Sequence, residues 1–137
     1  MSVYTEKELA YLQEQRLGRL ATVDANGNPH IVPVGFRYNP ESDTIDIGGH
    51  DIVETKKWRD AQRHERVAFV VDDVLPPWQP RAVVTEANAE LLEKGGEQFS
   101  PGFDPQVMRL HPVKIIAWGL GEERQSRKIT NPEISRS

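Results

Sequence analysis

The chain has 137 residues, 37% of them hydrophobic, enough for one core and too few for two ordinary domains. Its formal charge of -4 and pI near 5.6 argue against a general binder of nucleic acid or anionic membrane, so any anion site must be local. The absence of cysteine excludes disulfides, thiolate zinc sites and thiol chemistry, and no run is apolar enough for a signal peptide or a bilayer span, which makes the cytoplasm the expected compartment.

Thr5 with Glu8 three residues on reads as a capping box, and Leu9 and Leu12 follow at helical spacing, predicting a first helix that ends near Gly18. "RLATVDANGNPHIVPVGFRY" then sets two β-rich runs around Asn26-Gly27, a pair suited to the positive φ angles of a tight hairpin. In the second run His30, Val32, Val34, Phe36 and Tyr38 share one face. Pro33 cannot donate to a ladder, which places this strand at an edge or makes it irregular there. "NPESD" is a turn, and Thr44 to Ile47 a third strand.

A helix over about 52–62 follows, with Asp51 and Glu54 spaced as a second capping box. "RVAFVVDD" reads as a buried strand, "VLPPWQP" as a break, Arg81 to Leu92 as a strand and "HPVKIIAWGL" as the last strand. Between these two lies a loop, "EKGGEQFSPGFDPQVMRL", with room for a short helix. Residues 121–137 are polar enough for an arm or a disordered tail, leaving residues 1–120 as one domain. Helix, three strands, helix, then more strands predicts an antiparallel sheet or barrel with helices packed outside.

The chemistry concentrates in "GGHDIVETKKWRDAQR". Between Thr55 and Arg63 stand four basic residues, Lys56, Lys57, Arg59 and Arg63, against one acid, Asp60, in a chain that is otherwise acidic. Glycines at a strand end let a ligand approach the backbone, and Thr55 and Lys57 can supply hydrogen bonds and charge to a phosphate near a helix start. The same residues also fit a solvated amphipathic helix, with Asp51 and Glu54 competing for the amides an anion would need.

"GRLATVDANGNPHIVPVGFRY", "TKKWRDAQRHERVAFVVDD" and "HPVKIIAWG", which together cover most of residues 5–120, resemble the flavin- and deazaflavin-binding split β-barrel family that includes the pyridoxamine 5'-phosphate oxidases, and in particular its branch using coenzyme F420. The resemblance implies a mainly β, antiparallel split barrel of the FMN-binding type with flanking helices, working as a homodimer with the cofactor at the interface. It puts the phosphate on Lys57, with Thr55 sharing it and Lys56, Arg59 and Arg81 available to an oligoglutamate tail. It sets Val32, Pro33 and Val34 against the flavin-like ring, Gly49 and His50 beside the ribityl chain and phosphate, and Trp78 at the cofactor across the dimer interface. Single-residue alternatives are strand packing for Val32 to Val34, a turn histidine for His50 and a loop anchor for Trp78.

The family often carries "V-R-G-x-A" where this chain reads "VTEANAEL", with Glu86 and Ala87 in place of arginine and glycine, which leaves FMN open as the cofactor in place of F420. His30, His64 and His111 form no metal-ligand spacing, and no G-x-S-x-G or P-loop is present. The expected activity is hydride transfer from reduced F420 to a small unsaturated or quinone-like acceptor, with no protein nucleophile and no proton donor identifiable from sequence. Rival readings are an FMN flavoprotein and a non-catalytic carrier or sensor of flavin or deazaflavin.

Overall fold

The computed structural model describes residues 1–99 and 101–130. Helix α1, Glu6–Glu14, opens with the expected capping box: Glu8 N donates to Thr5 Oγ1 at 3.1 Å and Thr5 N to Glu8 Oε1 at 2.9 Å. It ends before Gly18, because Gln15 is already extended and β1 begins at Leu17. Gly18 is a strand residue instead, pressed so closely against the Phe69 ring that a Cβ would collide with it.

Strands β1 (Leu17–Val23) and β2 (Pro29–Gly35) form the expected hairpin. Only Gly27 of the turn is left-handed, at φ 83°; Asn26 is not, because Asp24 organises the turn by accepting from the amides of Asn26 and Asn28, each at 2.9 Å. The run after the turn breaks at Phe36 into β2 and a short β3, Arg37–Asn39, which pairs with β4, Thr44–Ile47.

The expected helix over 52–62 is two pieces. Asp51 adopts φ 54° and makes no side-chain cap, so the Asp51–Glu54 box does not form; a single 3-10 turn, Ile52–Glu54, is followed by α2, Lys56–Arg63, capped by Thr55. Trp58 and Ala61, both buried, fasten α2 to the core. Long strands β5 (Arg66–Leu75), β6 (Gln79–Leu92) and β7 (Val107–Trp118) complete the sheet, and β8, Gln125–Lys128, pairs with the end of β7. Residues 131–137, the distal part of the expected tail, lie outside the described residues.

All pairings are antiparallel, in the order β2-β1-β5-β6-β7-β4-β3, with β8 beside β7. This is the split β-barrel expected from the sequence. β2 is an edge strand, which is where Pro33 is tolerated. The inner face buries Leu20, Phe69, Val71, Val83, Leu110 and Ile115 with Leu12 of α1. The opposite face carries Ile31, Ala21, Ala68, Val70, Val84 and Ile116, partly or fully exposed.

Candidate functional site

β4 is buried along its whole length and delivers the chain into Gly48-Gly49. A Cβ at Gly48 would stand 3.3 Å from Phe103 and 3.4 Å from Phe99, whereas one at Gly49 would meet nothing within 4 Å, so the backbone is covered at the first glycine and open at the second. Asp104 pins this corner from the β6–β7 loop: its amide donates to the Gly49 carbonyl at 3.0 Å, and its carboxylate accepts from Asp51 N at 2.7 Å. His50 is exposed, and its ring meets Phe103 edge-on, centroids 5.2 Å apart.

Five residues later the same corner becomes the start of α2. Thr55 donates its hydroxyl proton to Ile52 O at 2.6 Å and accepts from Trp58 N at 3.4 Å. A hydroxyl has one proton, so Thr55 in this position holds the helix start and offers an anion no donor of its own. Lys56 is neutralised as well, lying 3.2 Å from Asp60 and 3.7 Å from Asp24. Asp60 is itself buried and accepts from Thr22 Oγ1 at 2.8 Å, so this group ties α2 to the β1–β2 hairpin.

Lys57 differs from its neighbour. It is half-buried, no carboxylate pairs with it among the described residues, and burial holds its pKa below the ordinary lysine value. A cation partly removed from water without a counter-charge is a cost that a bound anion would relieve. Arg59 donates to the Glu54 carbonyl at 2.7 Å and, with Lys56 and Arg63, lines a cleft of about 210 Å³ over the hairpin turn.

Val32, Pro33 and Val34 lie on edge strand β2, whose hairpin turn Lys56 reaches through Asp24. Val34 is 8% exposed and belongs to the core, Val32 packs half-buried against it, and Pro33 faces outward. On the outward face a cleft of about 240 Å³ is lined by Ala21, Val23, Pro29, Arg66, Ala68 and Glu86, an apolar slot with one acid and one arginine in its lining.

Two expected site residues stand apart from this corner. Trp78 is 75% exposed in the β5–β6 turn. Arg81 pairs with Asp73 through two bonds, 2.6 and 2.9 Å, meets Glu14 at 3.0 Å and lies 4.8 Å from the centre of the Tyr11 ring. Those partners hold the guanidinium at the α1 face, well above the usual arginine pKa, with Asp73 the largest cause. The structure sets Gly49 and His50 before, and Thr55, Lys56 and Lys57 after, the 3-10 turn Ile52–Glu54 of one continuous stretch, places Val32 to Val34 on the strand whose turn Lys56 reaches, and leaves Trp78 and Arg81 elsewhere.

Three side chains at the corner were not singled out by the sequence. Phe99 and Phe103 stack, centroids 6.0 Å apart, and the Arg37 guanidinium lies 5.6 Å from the centre of the Phe99 ring. Two phenylalanines four apart inside the Gly/Pro-rich "FSPGF" segment were the available signal, since a polar loop seldom spends aromatic area without packing it.

The split barrel agrees with the comparisons to known proteins. A pyridoxamine 5'-phosphate oxidase family model matches residues 4–128, and the chain belongs to that family. It is similar to a 5a,11a-dehydrotetracycline/5a,11a-dehydrooxytetracycline reductase of Streptomyces rimosus, 44% identical over 119 residues, covering 85% of this chain and 84% of the relative. Among solved structures it resembles a candidate pyridoxamine 5'-phosphate oxidase of Lactobacillus delbrueckii, at TM-score 0.65 and 26% identity over 82% of this chain and 92% of the other. An FAD-binding protein of Mesorhizobium loti shares the fold, at TM-score 0.62 and 18% identity over 82% and 92% of the two chains.

Proposed function

We propose that this protein is an oxidoreductase that uses the deazaflavin coenzyme F420 to reduce a small unsaturated or quinone-like acceptor, acting as a cytoplasmic homodimer with the cofactor between subunits. The observation that carries the reading is Lys57, a half-buried ammonium without a carboxylate partner among the described residues, at a corner where Gly49 leaves the backbone open. The 44% identity to a reductase of a polycyclic substrate supports the reaction class.

The residues present fit such a cofactor. Lys57 would hold its phosphate; Thr55 would contribute by fixing the α2 start that aims Lys57; Gly49 and His50 would flank the chain between phosphate and ring. Pro33 would offer the ring an apolar outward surface, with Val32 and Val34 holding the strand from behind. When bound, the cofactor supplies the hydride, so the protein needs no nucleophile; its part is to bind, orient and keep water out. Arg59 and Arg63, on the exposed face of α2, have no carboxylate partner among the described residues and are better placed for an anionic tail than Lys56 or Arg81.

Homodimerisation is supported by the outward apolar face, where Ile31 is 62% exposed, and by Trp78 at the far end of the sheet, which would reach the cofactor only from a second subunit. FMN remains the second reading, favoured by Glu86 at the position where the family often carries an arginine, although Arg66 lines the same slot. Side-by-side titration with F420 and FMN, followed by stopped-flow reoxidation of the reduced complex with and without acceptor, tests the proposal. Tighter F420 binding and acceptor-dependent reoxidation are expected; reoxidation with no acceptor consumed would make the protein a carrier.

A further inference from the structure

The Phe99–Phe103 pair is attached to the proposed site by more than proximity. Both rings cover Gly48, Gly102 lies against His50 with room for a Cβ 3.6 Å from that ring, and Asp104 ties the segment to Gly49 and Asp51. The result is a continuous aromatic surface, His50, Phe103 and Phe99, bordering the open space at Gly49. Neither phenylalanine is fully buried.

At its far end stands Arg37. Its cross-strand neighbour Asp46 is already committed to Arg109, at 3.1 Å, and to Asn39, at 2.9 Å. No carboxylate pairs with Arg37 among the described residues; its guanidinium rests on the Phe99 ring instead. Two phenylalanine rings tilted 28° to each other, ending in an arginine without a carboxylate partner among the described residues, match a conjugated molecule carrying an anionic oxygen, which can lie on the ring surface while its oxygen accepts from the guanidinium.

We infer that Phe99, Phe103 and Arg37 select the acceptor, and that the acceptor class is a conjugated, fused-ring enolate or phenolate. The inference rests on the oxidoreductase reading for the word acceptor, while the binding surface itself is independent of which cofactor is used. Lys57 and the aromatic surface then divide the work: one end of the corner takes the cofactor phosphate, the other the organic substrate.

The test is equilibrium binding of tetracycline, a fused-ring enolate that fluoresces, to the full chain loaded with FMN or F420. Arg37→Gln and Phe103→Leu are compared with the parent, and melting temperature is checked for each. Loss of one charged hydrogen bond or one aromatic contact should weaken tetracycline binding roughly tenfold, with cofactor affinity kept within about twofold. Arg37→Gln carries the test if Phe103→Leu loosens the loop. Unchanged tetracycline affinity in both variants, no saturable binding by the parent, or an equal loss of cofactor affinity would each overturn the assignment. Failure of the oxidoreductase reading looks different: tetracycline would still bind in an Arg37-dependent way, yet no acceptor would be reduced by either cofactor.

Discussion

Lys57 and Lys56 are adjacent in sequence and opposite in circumstance. Lys56 is spent on Asp60 and Asp24, so Lys56→Ala should loosen the junction between α2 and the hairpin, lowering stability by about 1 kcal/mol, since the lysine side chain itself is half-exposed and the buried Asp60 keeps its bond from Thr22, with little change in cofactor affinity. Lys57 also gives a pH signature. Its pKa is depressed by burial in the free protein, a bound phosphate would raise it, and binding needs the charged form. Cofactor affinity should therefore fall as pH rises through the Lys57 pKa, at lower pH than an ordinary lysine would allow, and Lys57→Arg should remove that alkaline loss; isothermal titration across pH checks it. The basic cluster was legible in sequence, but which of its members was free was not, because the neutralising acids Asp24 and Asp60 come from a hairpin turn and from the helix's own next turn. Arg81 shows the same limit: its partners Tyr11 and Glu14 are far away in sequence, and Asp73 meets it only through the register of the β5–β6 hairpin.

At the scale of elements, the hydrophobic periodicity and the "NG" turn marked most strands, because antiparallel hairpins are written in short-range signals. Boundaries set by tertiary contact were less visible. Gly18 looked like a helix stop and is a strand residue shaped by Phe69; adding a methyl there crowds a buried ring, so Gly18→Ala should cost about 1–3 kcal/mol as overpacking does, read by denaturant unfolding. β8 was hidden because its sequence, "QSRK", is polar. What holds it is Arg127, which donates to both oxygens of Glu8, at 2.6 and 3.0 Å, and to Val3 O at 2.6 Å. Glu8 is 0% exposed, and so Arg127→Met leaves a buried carboxylate without its cation. The expected loss is about 3 kcal/mol, the lower end for breaking a buried pair because Arg127 is partly exposed, with faster amide exchange over residues 125–128.

For the whole molecule, one sheet face makes the core and the other is left apolar and open. That arrangement suits a subunit whose outer face is covered by a copy of itself. Val84, paired with Val70 and Ile116 on that face, is a probe of it: Val84→Lys should shift light scattering from dimer to monomer mass at micromolar concentration and lower cofactor affinity with it, while leaving the inner core intact. A parent protein that scattered as a monomer would remove the interface from the account. The family was readable from the sequence because the split barrel carries its basic corner in one contiguous stretch; the packing of Phe99 and Phe103 over Gly48 was not, because it requires the β6–β7 loop to fold back on that corner.

The affinity of Lys57→Ala for F420 and for FMN, measured against the parent at fixed salt with melting temperatures in parallel, bears on everything proposed for the site. Removing a principal charged donor to a phosphate should cost about 1.5 to 3 kcal/mol, or roughly ten to more than a hundredfold in affinity, with the fold unchanged. If Lys57→Ala binds both cofactors as tightly as the parent does, the corner does not hold a phosphate.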